Sequence, residues 1–212
     1  MTSVDWKAGL KPGLEALGVT LPEGGEARLI RFVELLLHWN QAYNLTAVRD
    51  PDEMLTKHVL DSLAVLPFVQ AGPVEDVGSG AGLPGIPLAV ALPGMRFTLL
   101  DSNGKKTRFM THAAVELGLK NVEVVQARAE GYRSPAPFAT VLSRAFASLA
   151  DFLKLAGAGC APGGRLLAMK GAYPTEELRE LPQGYRLVGV HPLKVPGLDA
   201  ERCVVEIEKQ AQ

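Results

Sequence analysis

The chain has 212 residues, of which 47% are hydrophobic and 21% are charged, which is ordinary for one globular α/β domain with a modest extension. Its formal net charge of −1 argues against a protein that binds any nucleic acid non-specifically through phosphate contacts. The two cysteines, Cys160 and Cys203, lie far apart and belong to no pattern with metal-ligand spacing, so we expect no metal site and two reduced, buried thiols.

Residues 1–72 are predicted to form an N-terminal helical extension packed on the core. The first clear helical pattern places five apolar side chains on one face: Leu29, Val33, Leu36, Leu37 and Tyr43. A break is expected over residues 44–51, because the residue before Pro51 disfavours a helix. A second helix is expected to begin at Pro51, since a proline and two following acids suit a first turn. The first ten residues lack the apolar stretch of a secretory signal, so we expect a cytoplasmic protein.

Residues 73–212 alternate predicted strands and helices. Strands are expected at residues 74–77, 96–100, 122–125, 139–143 and 165–170. Helices are expected after the first strand as far as residue 91, and over residues 105–117, 149–156 and 175–181. Two final strands, 185–193 and 201–208, are joined by a loop without a helix, which is typical of antiparallel neighbours. The pattern predicts an α/β fold with a doubly wound, mostly parallel sheet of seven strands, one of them antiparallel.

A glycine-rich turn over residues 78–82 joins the first strand to its helix. In such a unit the glycines let the backbone approach a nucleotide closely, and the helix N-terminus offers free N–H groups. Asp76, just before the turn, is awkward for a phosphate and suits an ammonium group. Pro84 and Pro87 remove backbone donors that a phosphate would use. These features favour S-adenosylmethionine over the dinucleotide of an NAD-dependent oxidoreductase.

Two further segments at strand ends complete the predicted cofactor site. Asp101 ends the second strand, where a carboxylate can accept both ribose hydroxyls of an adenosine. Ala129 and Glu130 follow the third strand, where they would meet the adenine. The alternative interpretation is a structural turn with solvated acidic residues.

Several segments in one order carry a more specific signal: residues 38–46 (HWNQAYNLT), 57–62 (KHVLDS), 76–87, 100–102 (LDS), 143–147 (SRAFA) and 170–171 (KG). The set resembles the RsmG (GidB) family, bacterial methyltransferases that modify guanine N7 in the 530 loop of 16S ribosomal RNA. The resemblance runs from about residue 28 to residue 209 and implies a class I (Rossmann-like) methyltransferase fold with S-adenosylmethionine as cofactor.

The resemblance also implies positions for the cofactor contacts. Together with the glycine-rich turn, the expected cofactor-binding residues are Asp76, Gly78, Gly80, Gly82, Leu83, Asp101, Ser102, Asn103, Ala129, Glu130 and Arg144. Guanine N7 carries a lone pair and no proton, so its methylation is a direct displacement that needs alignment and no general base. Arg144 is the expected catalytic residue, orienting the guanine at O6 or a neighbouring phosphate, and a structural salt bridge is the alternative.

On the same basis we expect 16S rRNA as the partner, within the small ribosomal subunit or an assembly intermediate, and a monomer without membrane contact. The expected RNA-binding residues are Asn44, Arg49, Lys57, His58, Lys105, Lys106, Lys170 and Arg202, and a solvated surface position is the alternative for each. A methyltransferase acting on another RNA, a protein or a small molecule would share this fold. A non-catalytic RNA-binding module is disfavoured by the intact cofactor loop.

Overall fold

A computed structural model describes residues 6–144, 146 and 148–211, and within them seven strands form one sheet. The strands are β1 (Val74–Val77), β2 (Phe97–Asp101), β3 (Val122–Gln126), β4 (Phe138–Ser143), β5 (Cys160–Lys170), β6 (Tyr185–Pro192) and β7 (Cys203–Lys209). Their order across the sheet is β3-β2-β1-β4-β5-β7-β6. In this part of the chain β7 is antiparallel to both of its neighbours, and the pairs among β1 to β5 are parallel. The predicted doubly wound sheet with one antiparallel strand is confirmed.

The strand order reverses beside β1, which has β2 on one side and β4 on the other. Ligands of doubly wound sheets bind at such a switch point, outside the carboxyl ends of the strands. Because β7 runs antiparallel, its beginning lies at the same edge, with Cys203 paired to Lys170 at the end of β5. Segments far apart in sequence therefore meet at one edge of the sheet.

Four α-helices and a short 3-10 helix, Leu66–Phe68, precede β1 in the described residues. The α-helices are α1 (Trp6–Leu17), α2 (Gly25–Tyr43), α3 (Pro51–Met54) and α4 (Asp61–Leu63), and a π-helical stretch, Leu55–Leu60, lies between the last two. Helix α3 begins at Pro51, as predicted, and the Asp50 side chain caps it by accepting the Asp52 N–H at 3.0 Å. The π-helical stretch contains Lys57 and His58, and such irregularities are frequent at functional sites.

The remaining α-helices of the described chain are α5 (Gly85–Ala91), α6 (Gly104–Glu116) and α7 (Leu149–Ala156). One buried apolar cluster joins the N-terminal helices, α5 and α6 to one face of the sheet, with Phe32, Leu63 and Leu99 among its members. A second cluster lies under α7 on the other face, where Phe152 packs with Val141. The N-terminal helices thus share a core with the sheet, and the proposed boundary at residue 72 stays a prediction.

Two elements differ from the prediction. Residues 175–181 were predicted as a helix, but only the short 3-10 helix Glu177–Glu180 forms there. Strand β5 begins at Cys160, five residues earlier than predicted, because this glycine-containing stretch still pairs with the start of β4. Between β3 and β4, residues 127–137 contain no helix. No helix among the described residues is both long and apolar enough to cross a bilayer.

Candidate active site

The glycine-rich turn directly follows β1 at the switch point. Gly78, Gly80 and Gly82 have φ values of 73°, 60° and 77°, which lie in the left-handed region that residues other than glycine rarely adopt. A Cβ added to Gly80 would make only ordinary van der Waals contacts, because the nearest atoms, Gly78 O and Lys106 Nζ, are 3.9 Å away. An added Cβ on Gly82 would instead collide with the side chain of Ile86. The turn therefore packs tightly against α5 at Gly82, whereas at Gly80 its backbone is not closely covered.

Asp76 is fully buried beside this turn. Its Oδ2 accepts the Gly85 N–H at 2.9 Å, whereas its Oδ1 has no hydrogen-bond partner among the described residues. Burial raises the pKa of Asp76 to about 7, although the Gly85 N–H and the charge of Arg144 oppose the shift. A buried acceptor without a partner is costly, so this oxygen suits a ligand that donates a hydrogen bond.

Asp101 ends β2 and faces the same turn. Its Oδ2 accepts the Gly80 N–H at 2.9 Å, and its Oδ1 accepts the Asn103 N–H at 2.8 Å. These bonds fix the orientation of the carboxylate, and each oxygen keeps a second lone pair. The Asn103 side chain caps α6 by accepting the Lys105 N–H at 2.9 Å, and Ser102 is exposed between them.

The other predicted cofactor residues lie close by in different environments. Ala129 lines a cavity with Val77 and Leu100 at the ends of β1 and β2, whereas Glu130 is exposed. Leu83 is buried and belongs to the apolar cluster that joins the N-terminal helices to the sheet.

Arg144 directly follows β4 and meets a buried carboxylate from the helical section. Its Nη1 donates to Asp61 Oδ2 and to the Lys57 carbonyl, both at 3.2 Å. The other oxygen, Asp61 Oδ1, accepts from Arg202 Nε at 3.1 Å. The Asp61 side chain is 2% exposed, while each arginine side chain is 28% exposed. Asp61 therefore holds two partly exposed guanidinium groups, one that directly follows β4 and one that directly precedes β7.

A cavity of about 420 Å³ adjoins these arginines. Four of the predicted RNA-binding residues line it together with Arg144 and Asp61: Lys57, His58, Lys170 and Arg202. Lys57 pairs with Glu53 at 2.7 Å, and Lys170 pairs with Glu177 at 3.0 Å.

His58 forms part of the wall of this cavity and is itself only 4% exposed. Its Nε2 is 2.9 Å from Thr46 Oγ1, and burial together with the charge of Arg144 lowers its pKa to about 4. The ring is therefore neutral at physiological pH and offers little surface to an RNA chain.

The remaining predicted RNA-binding residues lie outside that cavity. Arg49 Nη2 donates to Asn44 Oδ1 at 2.6 Å, so these two exposed residues hold each other. Lys105 and Lys106 lie in the first turn of α6 instead, where Lys106 Nζ is 4.0 Å from Asp101 Oδ2. Two positions of the SRAFA segment, Ala145 and Ala147, lie outside the described residues.

Asp61 was not predicted as a functional residue, although its segment was. The available signal was an acidic side chain on an otherwise apolar helical face, one turn after Lys57. A carboxylate in that position is buried only when it is paired, and its partners lie 83 and 141 positions away. No local pattern indicates such partners. Within the described residues no group of three or more histidines, cysteines and acids is arranged to hold a metal ion.

Comparison with known proteins agrees with this arrangement. The family model GidB, described as rRNA small subunit methyltransferase G, matches residues 26–205. A protein of Nitrosospira multiformis named "Ribosomal RNA small subunit methyltransferase G" is 51% identical over 210 residues, which is 96% of this chain and 97% of the relative. A protein of the same name from Alkalilimnicola ehrlichii is 54% identical over 193 residues, 91% of this chain and 88% of the relative.

Solved structures agree with the observed architecture. The glycopeptide N-methyltransferase MtfA matches with a TM-score of 0.60 at 15% identity, over 74% of this chain and 98% of that one, which shows a common Rossmann-like fold. The family match covers most of the sequence, from helix α2 into strand β7. The chain belongs to the GidB family, rRNA small subunit methyltransferase G.

Proposed function

We propose that this chain transfers the methyl group of S-adenosylmethionine to N7 of a guanine in the 530 loop of 16S ribosomal RNA. The observation that carries the proposal is the position of Arg144. Its charge acts on Asp76 beside the glycine-rich turn, and its guanidinium borders the cavity that contains Lys57, Lys170 and Arg202. One side chain thus connects a nucleotide-type cradle with a cationic cavity.

The residues of the cradle fit the cofactor. The backbone at Gly80 is not closely covered, so a ligand can approach it. The unpartnered Asp76 Oδ1 can accept from an ammonium group, and Asp101 can accept from ribose hydroxyls. Bound there, the cofactor would supply an electrophilic methyl group on a sulfonium. Ala129 and Glu130 would border its adenine. Lys106 lies at the rim, with its Nζ 4.0 Å from Asp101 Oδ2.

The chain's own task in this reaction is alignment. Guanine N7 needs no deprotonation, so no side chain has to act as a general base, and His58 with a pKa of about 4 is not required as one. Arg144 can hold the base or a neighbouring phosphate in line with the methyl group through guanidinium N–H groups that Asp61 does not use. The target base has to leave its stack to reach this position.

The RNA partner is supported by charge at the sheet edge. Among the residues that line the cavity and their ion-pair partners, Glu53 and Glu177 each neutralise one lysine, and Asp61 neutralises one of the two arginines. One positive charge in this group is therefore not neutralised. A local positive charge on a chain of net charge −1 favours a specific RNA contact over general phosphate binding. We propose that the substrate is the small ribosomal subunit or an assembly intermediate, and that the enzyme acts as a monomer.

The proposal is tested with methyl-labelled S-adenosylmethionine and small ribosomal subunits from bacteria that lack the corresponding gene. The label is mapped by mass spectrometry of RNA fragments, and naked 16S rRNA is run in parallel to measure the contribution of the assembled particle. Label on guanine N7 in the 530 loop is expected. Label at another nucleotide would refute this assignment, and transfer to a small molecule but to no RNA would favour the alternative substrate class.

A further inference from the structure

Asp61 is a buried carboxylate whose two oxygens are both occupied by arginines. Oδ2 accepts from Arg144 and Oδ1 accepts from Arg202, and the side chain is 2% exposed. It therefore has little surface with which to contact a substrate. The two guanidinium groups, in contrast, are each partly exposed beside the same cavity. Apart from the long-range field of its charge, any effect of Asp61 on RNA has to pass through these two arginines.

The arrangement orients the arginines as well as neutralising one of them. Arg144 uses Nη1 for Asp61 and for the Lys57 carbonyl, and Arg202 uses Nε for Asp61 and Nη1 for the Glu201 carbonyl. Nη2 of both guanidinium groups has no protein acceptor among the described residues. A guanidinium that is held on one edge loses little conformational entropy when its other edge binds an anion.

We propose that Asp61 is a positioning residue that aligns Arg144 and Arg202 as one binding site for a single phosphate group of the substrate RNA. The inference rests on the proposed function and deepens it, because it assigns a specific RNA group to the cavity. One carboxylate between two guanidinium groups leaves one positive charge, which matches one phosphodiester. Planar guanidinium N–H groups are well suited to phosphate oxygens.

The direction in which RNA affinity changes in an Asp61 variant distinguishes a positioning role from a purely electrostatic one. Asp61→Asn removes a negative charge next to the cavity, so long-range attraction alone predicts tighter RNA binding. Positioning predicts the opposite, because the two guanidinium groups would repel each other and separate. Asp52→Asn is the matched control: it makes the same charge change at an exposed position of α3.

The test measures methyl transfer to small ribosomal subunits, with KM and kcat determined separately, and binding of S-adenosylhomocysteine. For Asp61→Asn we expect KM for the subunit to rise at least about tenfold, as for loss of a charge-assisted hydrogen bond, and cofactor affinity to stay within about twofold. Asp52→Asn should leave KM unchanged or slightly lower. Unchanged or lower KM in Asp61→Asn would overturn the inference. A wild-type protein that labels no RNA would refute the proposed function itself.

A double-mutant cycle tests whether Asp61 acts through the arginines. In a protein carrying Arg144→Gln and Arg202→Gln, adding Asp61→Asn should change KM by less than about twofold, because nothing remains to be positioned. The triple variant has no unpaired buried charge, whereas the double arginine variant leaves the Asp61 carboxylate without its partners, so circular dichroism has to show that both are folded before their KM values are compared. A further tenfold rise in that background would show that Asp61 acts by another route and would overturn the inference.

Discussion

Replacing Asp76 by asparagine is expected to stabilise the protein and to weaken its cofactor site at the same time. Asp76 is fully buried, and one of its carboxylate oxygens has no partner among the described residues, so its ionised form is costly without a ligand. Asparagine keeps an oxygen that can accept the Gly85 N–H and removes the charge. It also removes the anionic acceptor that the cofactor ammonium would use.

The magnitude follows from the pKa of Asp76, which burial raises from 3.8 to about 7. Because the folded-state pKa lies above the unfolded value, the folded state binds more protons between these limits, and stability falls as pH rises through this range. At about 1.4 kcal/mol per pKa unit, the charge costs roughly 4 kcal/mol well above pH 7. Between pH 5 and pH 8 the advantage of Asp76→Asn over the wild type should therefore grow by about 2–3 kcal/mol.

Glu75 provides a matched control because it is the neighbouring buried carboxylate on the opposite face of β1. It is 3% exposed, forms no hydrogen bond with a described residue, and burial raises its pKa from 4.5 to about 7. The advantage of Glu75→Gln over the wild type in free energy of unfolding should therefore grow by about 2–3 kcal/mol over the same pH interval. Its side chain lines the cavity beside Ala129 rather than the glycine-rich turn, so Glu75→Gln leaves the acceptor for the cofactor ammonium in place and should lose less than about tenfold in ligand affinity.

The assay combines urea unfolding at pH 5 and pH 8 with calorimetric binding of S-adenosylhomocysteine at pH 8. The stability advantage of both variants over the wild type should be larger at pH 8 than at pH 5. Only Asp76→Asn should bind the ligand at least about tenfold more weakly, as expected for loss of a charge-assisted hydrogen bond. Normal ligand affinity in Asp76→Asn would refute the role of the carboxylate. A pH-independent stability difference would refute the reasoning about burial.

Three other predictions follow from the site. Gly78→Asp should abolish S-adenosylhomocysteine binding in calorimetry, because a side chain at φ 73° is strained and its charge is added beside Asp76. Arg144→Ala should reduce turnover in the labelling assay at least about a hundredfold and leave the circular dichroism spectrum unchanged. Arg179→Ala, at an exposed position, should leave turnover unchanged, and near-normal turnover in Arg144→Ala would contradict the role of Arg144. Burial lowers the pKa of His58 from 6.5 to about 4, so the free energy of unfolding should fall as pH falls through this range. In urea titrations, the stability of His58→Gln should therefore depend less on acid pH than that of the wild type. An unchanged pH dependence would contradict the assignment of this effect to His58.

Local sequence determined the architecture and the placement of the glycine-rich turn beside two acidic residues. Alternating strands and helices, the glycine-rich turn and the closing pair of strands are encoded by periodicity and turn residues within short stretches. Asp76 and Asp101 were predictable for the same reason, since each stands next to a strand end whose position the pattern indicates. The 3-10 helix at Glu177–Glu180 was not, because a short amphipathic stretch does not reveal which hydrogen-bonding pattern its neighbours allow.

Only the tertiary structure decided the chemistry of the cationic cavity. Asp61 meets Arg144 and Arg202 across 83 and 141 positions, and the meeting depends on which strands are neighbours and in what register. The unpartnered oxygen of Asp76 and the low pKa of His58 depend in the same way on what surrounds each group in space. Backbone preferences act between residues close in sequence, whereas burial and charge pairing act between residues that the completed sheet brings together.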